Sequence, residues 1–306
     1  MRYFDNHADT LTELPEGGSL YENENDVDLK RVDAFADTYT QVFALWRDMA
    51  QVDNKRVDEE FERVYDRARG LIAAQSGRVE LVTDAKSMHA AHAAGHAAAF
   101  LSLEDASFAG SHISEAYDRG IRFCMLAWNY ENSYACGAAC DQRRGLTQRG
   151  RKLVCQLVGQ GMVMDASHLS DAGVDDLLSL VEGPVIASHS NARAVCNVPR
   201  NLPDRYIEEI ARRGGIIGLN LFAPFVADDP SVDDVLRHAD HIMEIGGEDV
   251  LAMGADFDGC DGLFPKGIAG VQSIPSLRAA FATSFGEELA EKVFFTNSEA
   301  FIERNF

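Results

Sequence analysis

The side chains of this sequence that could do chemistry stand where short apolar runs stop. Phe4-Asp5-Asn6-His7-Ala8-Asp9-Thr10 is the first such place. Residues two apart on a strand share a face, so His7 and Asp9 project together from the strand's carboxyl end. A neutral imidazole nitrogen and a carboxylate oxygen held side by side are two ligands for a borderline divalent metal such as zinc. His-x-Asp is common by chance, and alone it reads as a solvated strand end with a hydrogen-bonded histidine. Its weight comes from matching groups elsewhere. Glu104 follows the run 98–103, His168 the run 162–164 and His189 the run 184–187, each at the end of its run.

Five such ligands meeting in one place could hold two metal ions about 3.5–4 Å apart. Glu104 is the natural bridge, because a carboxylate has two oxygens and glutamate reaches further than aspartate. Two metals sharing a water bring its pKa toward neutrality and present hydroxide at pH 7, while one metal also polarises a substrate carbonyl. The tetrahedral adduct then needs a proton carrier. Asp256, after the run 250–253, is placed to be general base and then acid toward the leaving amine. Asp258, two residues on in a glycine-bounded turn, is the competing choice.

These positions converge only if the elements behind them do. Residues 2–5, 38–46, 98–103, 121–126, 162–164, 184–187, 216–219 and 250–253 read as strands, with 79–82 a short extra one. Helical spacing covers 57–74, 85–94, 147–160, 172–180, 203–213, 231–245, 276–282 and 287–295, with Asp84 an N-cap. Strands alternating with amphipathic helices mean parallel βα units, and eight of them predict a (β/α)8 TIM-type barrel with its active site at the C-terminal face. An open doubly wound sheet is the alternative, but no Gly-x-Gly-x-x-Gly follows any strand. On the helix 85–94, His89 and His92 share a side with His96 just beyond. The surroundings are alanine and no acid sits beside them, so they read as a solvated or packed face.

At 306 residues, without a linker or repeat, the chain is expected to form a single domain over 1–306. A formal charge of −21, spread along the chain, argues against nucleic acid or an anionic membrane as partner. No apolar stretch approaches a membrane span and no charged-then-apolar leader opens the chain, so a cytoplasmic protein is expected. Six cysteines fit a reducing compartment. Cys136-x-x-x-Cys140 lacks the second pair or histidine that would complete a zinc site, so free thiols are expected.

Taken in order, several motifs resemble the membrane (renal) dipeptidase family of zinc metallopeptidases, in the amidohydrolase superfamily. They are Asp5-Asn6-His7-Ala8-Asp9, Leu101-Ser102-Leu103-Glu104, Gly145-Leu146-Thr147, Asp165-Ala166-Ser167-His168-Leu169-Ser170, Ser188-His189-Ser190, Arg200-Asn201-Leu202-Pro203-Asp204 and Gly254-Ala255-Asp256-Phe257-Asp258-Gly259. The resemblance implies two Zn2+ per chain, His7 and Asp9 on one, His168 and His189 on the other, and Glu104 between them. It implies hydrolysis of dipeptides, with tolerance of a D-residue at the carboxyl-terminal position, and a homodimer. Arg200 matches the arginine that clamps the substrate's free carboxylate, a task suited to a two-pronged guanidinium. A surface ion pair between Arg200 and Asp204 is the alternative.

The sequence departs from the best-known members in two places. Where they carry a histidine after the fourth strand to hydrogen-bond the scissile carbonyl, it has Asn129, which donates a neutral hydrogen bond and cannot become cationic. The cysteine that secreted relatives pair with the one matching Cys196 is missing, and no hydrophobic carboxyl-terminal tail offers a lipid anchor. The expected substrate is therefore a dipeptide or another small amide, such as an N-acyl amino acid. A catalytically silent barrel is the contrasting reading, opposed by the intact ligand set and Asp256. Side-chain preference would be set by loops such as 13–28 and 222–230.

Overall fold

The computed structural model describes residues 1–306. Its nine strands, all parallel, are β1 (Arg2–Ala8), β2 (Thr38–Leu45), β3 (Val79–Leu81), β4 (Ala97–Glu104), β5 (Ile121–Met125), β6 (Val163–Asp165), β7 (Val185–Ile186), β8 (Ile217–Leu219) and β9 (Leu251–Met253). They pair in the order β7-β6-β5-β4-β2-β1-β9-β8, with β3 outside the ring on β4. Ala187 and Ile217 form the bridge that closes β7 on β8. Eight strands thus make the expected (β/α)8 barrel, and the run set aside from the count is the one that stays outside.

The barrel strands send apolar side chains inward, among them Phe4, Val42, Phe100, Phe123, Val163 and Ile186. These pack together in the lumen, so the barrel has a solid floor rather than a bore. Phe295, Phe301 and Ile302 join that cluster from the end of the chain, as do Met88 and Ala91 from the helix Ala85–Ala93. A separate and larger apolar layer lies between the strands and the outer helices. The helix Val57–Ala73 contributes to it through Phe61, Val64, Ala68 and Ile72, whose spacing of three or four puts them on one face. No helix is long and apolar enough to cross a membrane.

Two differences from the sequence expectation bear on the site. β1 runs on to Ala8, past the expected residue 5, through a register shift against β2 between Asp5 and Ala8. After the helix Glu287–Glu291 the chain continues through a wide turn at Lys292–Thr296 into a further helix, Asn297–Asn305, which the apolar spacing did not predict. Glycine matters most under the mouth of the barrel. A Cβ at Gly218 or Gly254 would lie 1.9 or 1.7 Å from the carbonyl oxygen of Ser188, so only glycine lets β8 and β9 approach the strand end that carries His189.

Candidate active site

His7, Asp9, Glu104, His168, His189 and Asp256 all come together at the carboxyl ends of the strands, and all are buried. Glu104 is the centre of the group. Its Oε2 lies 3.3 Å from His7 Nε2 and its Oε1 lies 2.9 Å from His168 Nε2 and 3.9 Å from His189 Nε2. Its two oxygens therefore have different nearest partners, while the His7 and His189 rings stack on each other with centroids 3.7 Å apart. His7 Nε2 is also 3.6 Å from Asp9 Oδ2 and 3.9 Å from Asp256 Oδ1. His168 and Asp256 adopt left-handed backbone conformations, with φ of 68° and 62°. For residues other than glycine that conformation costs about 1–3 kcal/mol each, a strain typical of functional positions.

Below these side chains, two fully buried aspartates tie neighbouring strand ends together. Asp5 Oδ1 accepts from the backbone N–H groups of His7 (3.2 Å) and Ala255 (3.0 Å), joining β1 to β9. Asp165 Oδ1 does the same for Ser167 (2.9 Å) and Ser188 (3.1 Å), the residues just before His168 and His189. Ser170 then caps the helix Asp171–Leu180 through the N–H of Gly173, so the turn bearing His168 is pinned at both ends. Asn220, after β8, donates to Asp256 Oδ2 at 2.9 Å and to the His189 carbonyl at 3.2 Å.

The donor set fits metal ions, and the hydrogen bonding shows why. Neither ring nitrogen of His7 nor Asp9 Oδ1 has a hydrogen-bond partner, although all three atoms are buried. His168 Nδ1 meets Asn129 Oδ1 at 2.9 Å, which places a proton on Nδ1 and leaves Nε2 a lone pair. His189 Nδ1 meets Ser188 Oγ at 2.7 Å, and a hydroxyl can accept from that nitrogen, so the same tautomer is open to His189. The two Nε2 atoms face each other at 2.7 Å, and with both lone pairs turned inward that approach needs a proton or a cation to relieve it. A Cβ on Gly259 would sit 2.4 Å from Asp256 Oδ1 and 2.5 Å from Asp9 Oδ2, so glycine keeps that space open.

Electrostatics point the same way. Burial, reinforced by Arg200, pushes His168 down to about 3. Burial, with His7 and Arg200 nearby, holds His189 well below the usual histidine range. Both rings are neutral at pH 7 and free to ligate. Burial alone would lower His7 too, but Glu104 and Asp9 beside it hold it well above that range. Asp256 is pushed up to about 6, chiefly by burial, with His7 opposing and Glu104 adding to the rise. The mouth therefore buries Asp5, Asp9, Glu104, Asp165 and Asp256 against a single guanidinium, that of Arg200. Such an excess of carboxylate calls for protons or for multivalent cations.

The remaining expected residues are placed less simply. Asn129 lines the cavity over the ligands, but its Oδ1 is engaged by His168. Arg200 makes no ion pair with Asp204, which faces His241 at 2.8 Å instead. It is buried, its Nη1 donates to Ser190 Oγ at 2.8 Å, and its Nε and Nη2 have no partner. It does not line the cavity, whereas Phe225 does and lies over it, the ring centroid 5.7 Å from Cζ. Asp258 accepts from Thr10 Oγ1 at 2.5 Å and from the Asp26 N–H at 2.8 Å, so one oxygen is held by Thr10 and the other by the 13–28 loop. All six cysteines are free thiols.

The cavity has a volume of about 280 Å³ and is walled by Trp46, Trp128, Phe222 and Phe225. Larger hollows of about 660 and 610 Å³ adjoin it past Trp46 and Trp128, but no group of metal-binding side chains lies in them. Reasoning from the sequence missed the aromatic walls together with Asp5, Asp165, Ser190 and Asn220. Asp165 and Asn220 carry a usable signal, since the first ends a strand and the second follows one.

The model of the family described as membrane dipeptidase (peptidase family M19) matches residues 1–299. A metallopeptidase from Rhodobacter sphaeroides, liganded with a phosphinate mimic of the dipeptide L-Ala-D-Ala, is 26% identical, with a TM-score of 0.85 over 100% of this chain and 99% of that one. A structure described as dipeptidase AC, a metallopeptidase of family M19, is also 26% identical, with a TM-score of 0.88 over 100% and 98% of the two chains. An uncharacterized dipeptidase of Schizosaccharomyces pombe is 32% identical over 173 residues, which are 55% of this chain and 42% of that protein's length.

Proposed function

The chain belongs to the membrane dipeptidase family, peptidase family M19, and from that premise we propose that it is a zinc-dependent dipeptidase with two Zn2+ ions in the barrel mouth. The observation that carries this reading is the placement of Glu104, with Oε2 nearest His7 and Oε1 nearest His168 and His189. His7 and Asp9 would hold one ion, His168 and His189 the other, with Glu104 shared. The zinc pair, when bound, acidifies a water to serve as nucleophile and polarises the scissile carbonyl.

The other steps fall to the protein. Asp256 takes the nucleophile's proton on Oδ1, which faces the ligand group, while Asn220 fixes Oδ2. Oδ1 then returns the proton to the leaving amine. The unpartnered Nε and Nη2 of Arg200 receive the substrate's free carboxylate, once the Phe225 ring shifts aside. That clamp limits substrates to those ending one residue past the scissile bond. Asn129 keeps His168 in the ligating tautomer through Oδ1, and its Nδ2 is the donor left for the substrate's carbonyl oxygen. Trp46, Trp128 and Phe222 exclude water from the reacting centre.

The same reading makes the chain one hydrolase domain, a homodimer in solution, and a resident of the cytoplasm, the last supported by its free thiols. It is tested with zinc-loaded protein and a panel containing L-Ala-D-Ala, L,L-dipeptides and N-acyl amino acids. Hydrolysis of dipeptides, with their C-terminal amides refused, is the expected result. Cleavage confined to N-acyl amino acids would move the enzyme to another small amide, and no cleavage of any member would leave a silent barrel.

A further inference from the structure

The helix Ala85–Ala93 carries His89 and His92 one turn apart, and its own sequence offers them no acid. The fold brings one from the other end of the chain. The terminal helix Asn297–Asn305 packs alongside and places Glu299 so that one ligand atom from each of His89, His92 and Glu299 lies within 4.8 Å of the others. Glu299 Oε1 is 3.9 Å from His89 Nδ1, and Glu303, one turn on, reaches His89 Nε2 at 3.0 Å. The group sits at the floor of the barrel, by the start of β1 and β2. There Arg2 Nη1 approaches Glu299 Oε2 at 3.4 Å and Thr40 Oγ1 lies 2.9 Å from His92 Nε2.

Charge at this place is unevenly matched. Arg2 directs its Nε to Glu291 at 2.7 Å, leaving Glu299 the longer contact, and the only ion-pair contact of Glu303 is with His89. Two imidazoles and a carboxylate on two adjoining helices are a donor set for a borderline divalent cation. We propose that His89, His92 and Glu299, with Glu303 at the edge, form a peripheral divalent-cation site of the zinc class that fastens the terminal helix to the barrel floor. Glu299 offers the ion its Oε1, since its Oε2 faces Arg2. The site shares no residue with the mouth. Because the terminal helix also supplies Phe301 and Ile302 to the lumen, an ion here stabilises the folded chain by mass action.

The test uses the full chain titrated with zinc chloride by calorimetry, with thermal melts at each zinc concentration and in EDTA. Wild-type protein is expected to bind one more zinc per chain than the His89→Ala or Glu299→Gln variant, or to bind that ion at least ~10-fold more tightly. Its Tm should keep rising over the zinc range that fills this ion, and the variants' Tm should not. Equal melting of all three proteins in EDTA shows that the variants are folded, and Glu299→Gln preserves side-chain volume should His89→Ala melt early. Dipeptide hydrolysis by the zinc-loaded variants should match wild type. Equal zinc stoichiometry and affinity in wild type and Glu299→Gln would overturn the proposal.

Discussion

The two ends of this barrel each gather histidines and acids, but under different conditions. At the mouth the groups are buried, and several, such as both ring nitrogens of His7, have no hydrogen-bond partner. At the floor His89 is exposed and engaged by Glu303, and His92 is half-buried and engaged by Thr40. A buried polar atom without a partner costs about 1–3 kcal/mol, more when charged, whereas an exposed one is satisfied by water. Desolvation therefore makes a proton or a cation matter more at the mouth than at the floor. Only the first has the desolvated, pre-set geometry that catalysis needs.

That contrast breaks first at Asp256. Asp256→Asn keeps shape and the Asn220 contact but removes the proton carrier, so kcat should fall ~10²–10⁴-fold with zinc content unchanged. Activity within a few-fold of wild type would shift the role to another group, with Asp258 next in line. At the other end, Phe301 is fully buried in the lumen, and Phe301→Ala should lower stability by about 3–5 kcal/mol in urea denaturation. The zinc content of the mouth should not change. Loss of zinc from this variant would mean that the two ends are not independent.

Both ends are partly legible in the sequence. Alternating strands and helices dictate the barrel, and a polar side chain at a strand's end needs no further information to face the mouth, which is why His7, Glu104, His168 and His189 meet. What stayed hidden was set by loops and by distance along the chain. Trp46, Trp128, Phe222 and Phe225 become cavity walls only because their loops fold over the ligands. The terminal helix was missed because its apolar residues serve the lumen floor. The acid beside His89 escaped notice because it is supplied by Glu299, from the far end of the chain.

Smaller effects sharpen the contrast. Arg200→Ala should raise KM for dipeptides by ~10–100-fold, the loss of hydrogen bonds to a charged group, with a lesser effect on kcat. Arg200→Lys should recover little, because an ammonium cannot make the two-pronged contact. An unchanged KM would place the substrate's carboxylate elsewhere.

The smallest effect is one of pH on metal-free protein. Burial pushes Asp256 and Asp258 up to about 6 from an ordinary 3.8. Between those values the folded chain holds more protons than the unfolded one, so this contribution is present at low pH and is lost as pH rises from about 4 through 6. Tm measured in EDTA should fall across that window. Asp258→Asn should flatten the fall, and zinc should reverse it; a Tm that rises with pH there would contradict the assignment.

The most direct measurement is anomalous diffraction at the zinc edge from crystals of zinc-loaded protein. Two peaks about 3.5–4 Å apart are expected in the mouth, one beside His7 and Asp9 and one beside His168 and His189, with Glu104 touching both. An empty mouth in protein that still hydrolyses dipeptides would contradict a catalytic metal pair.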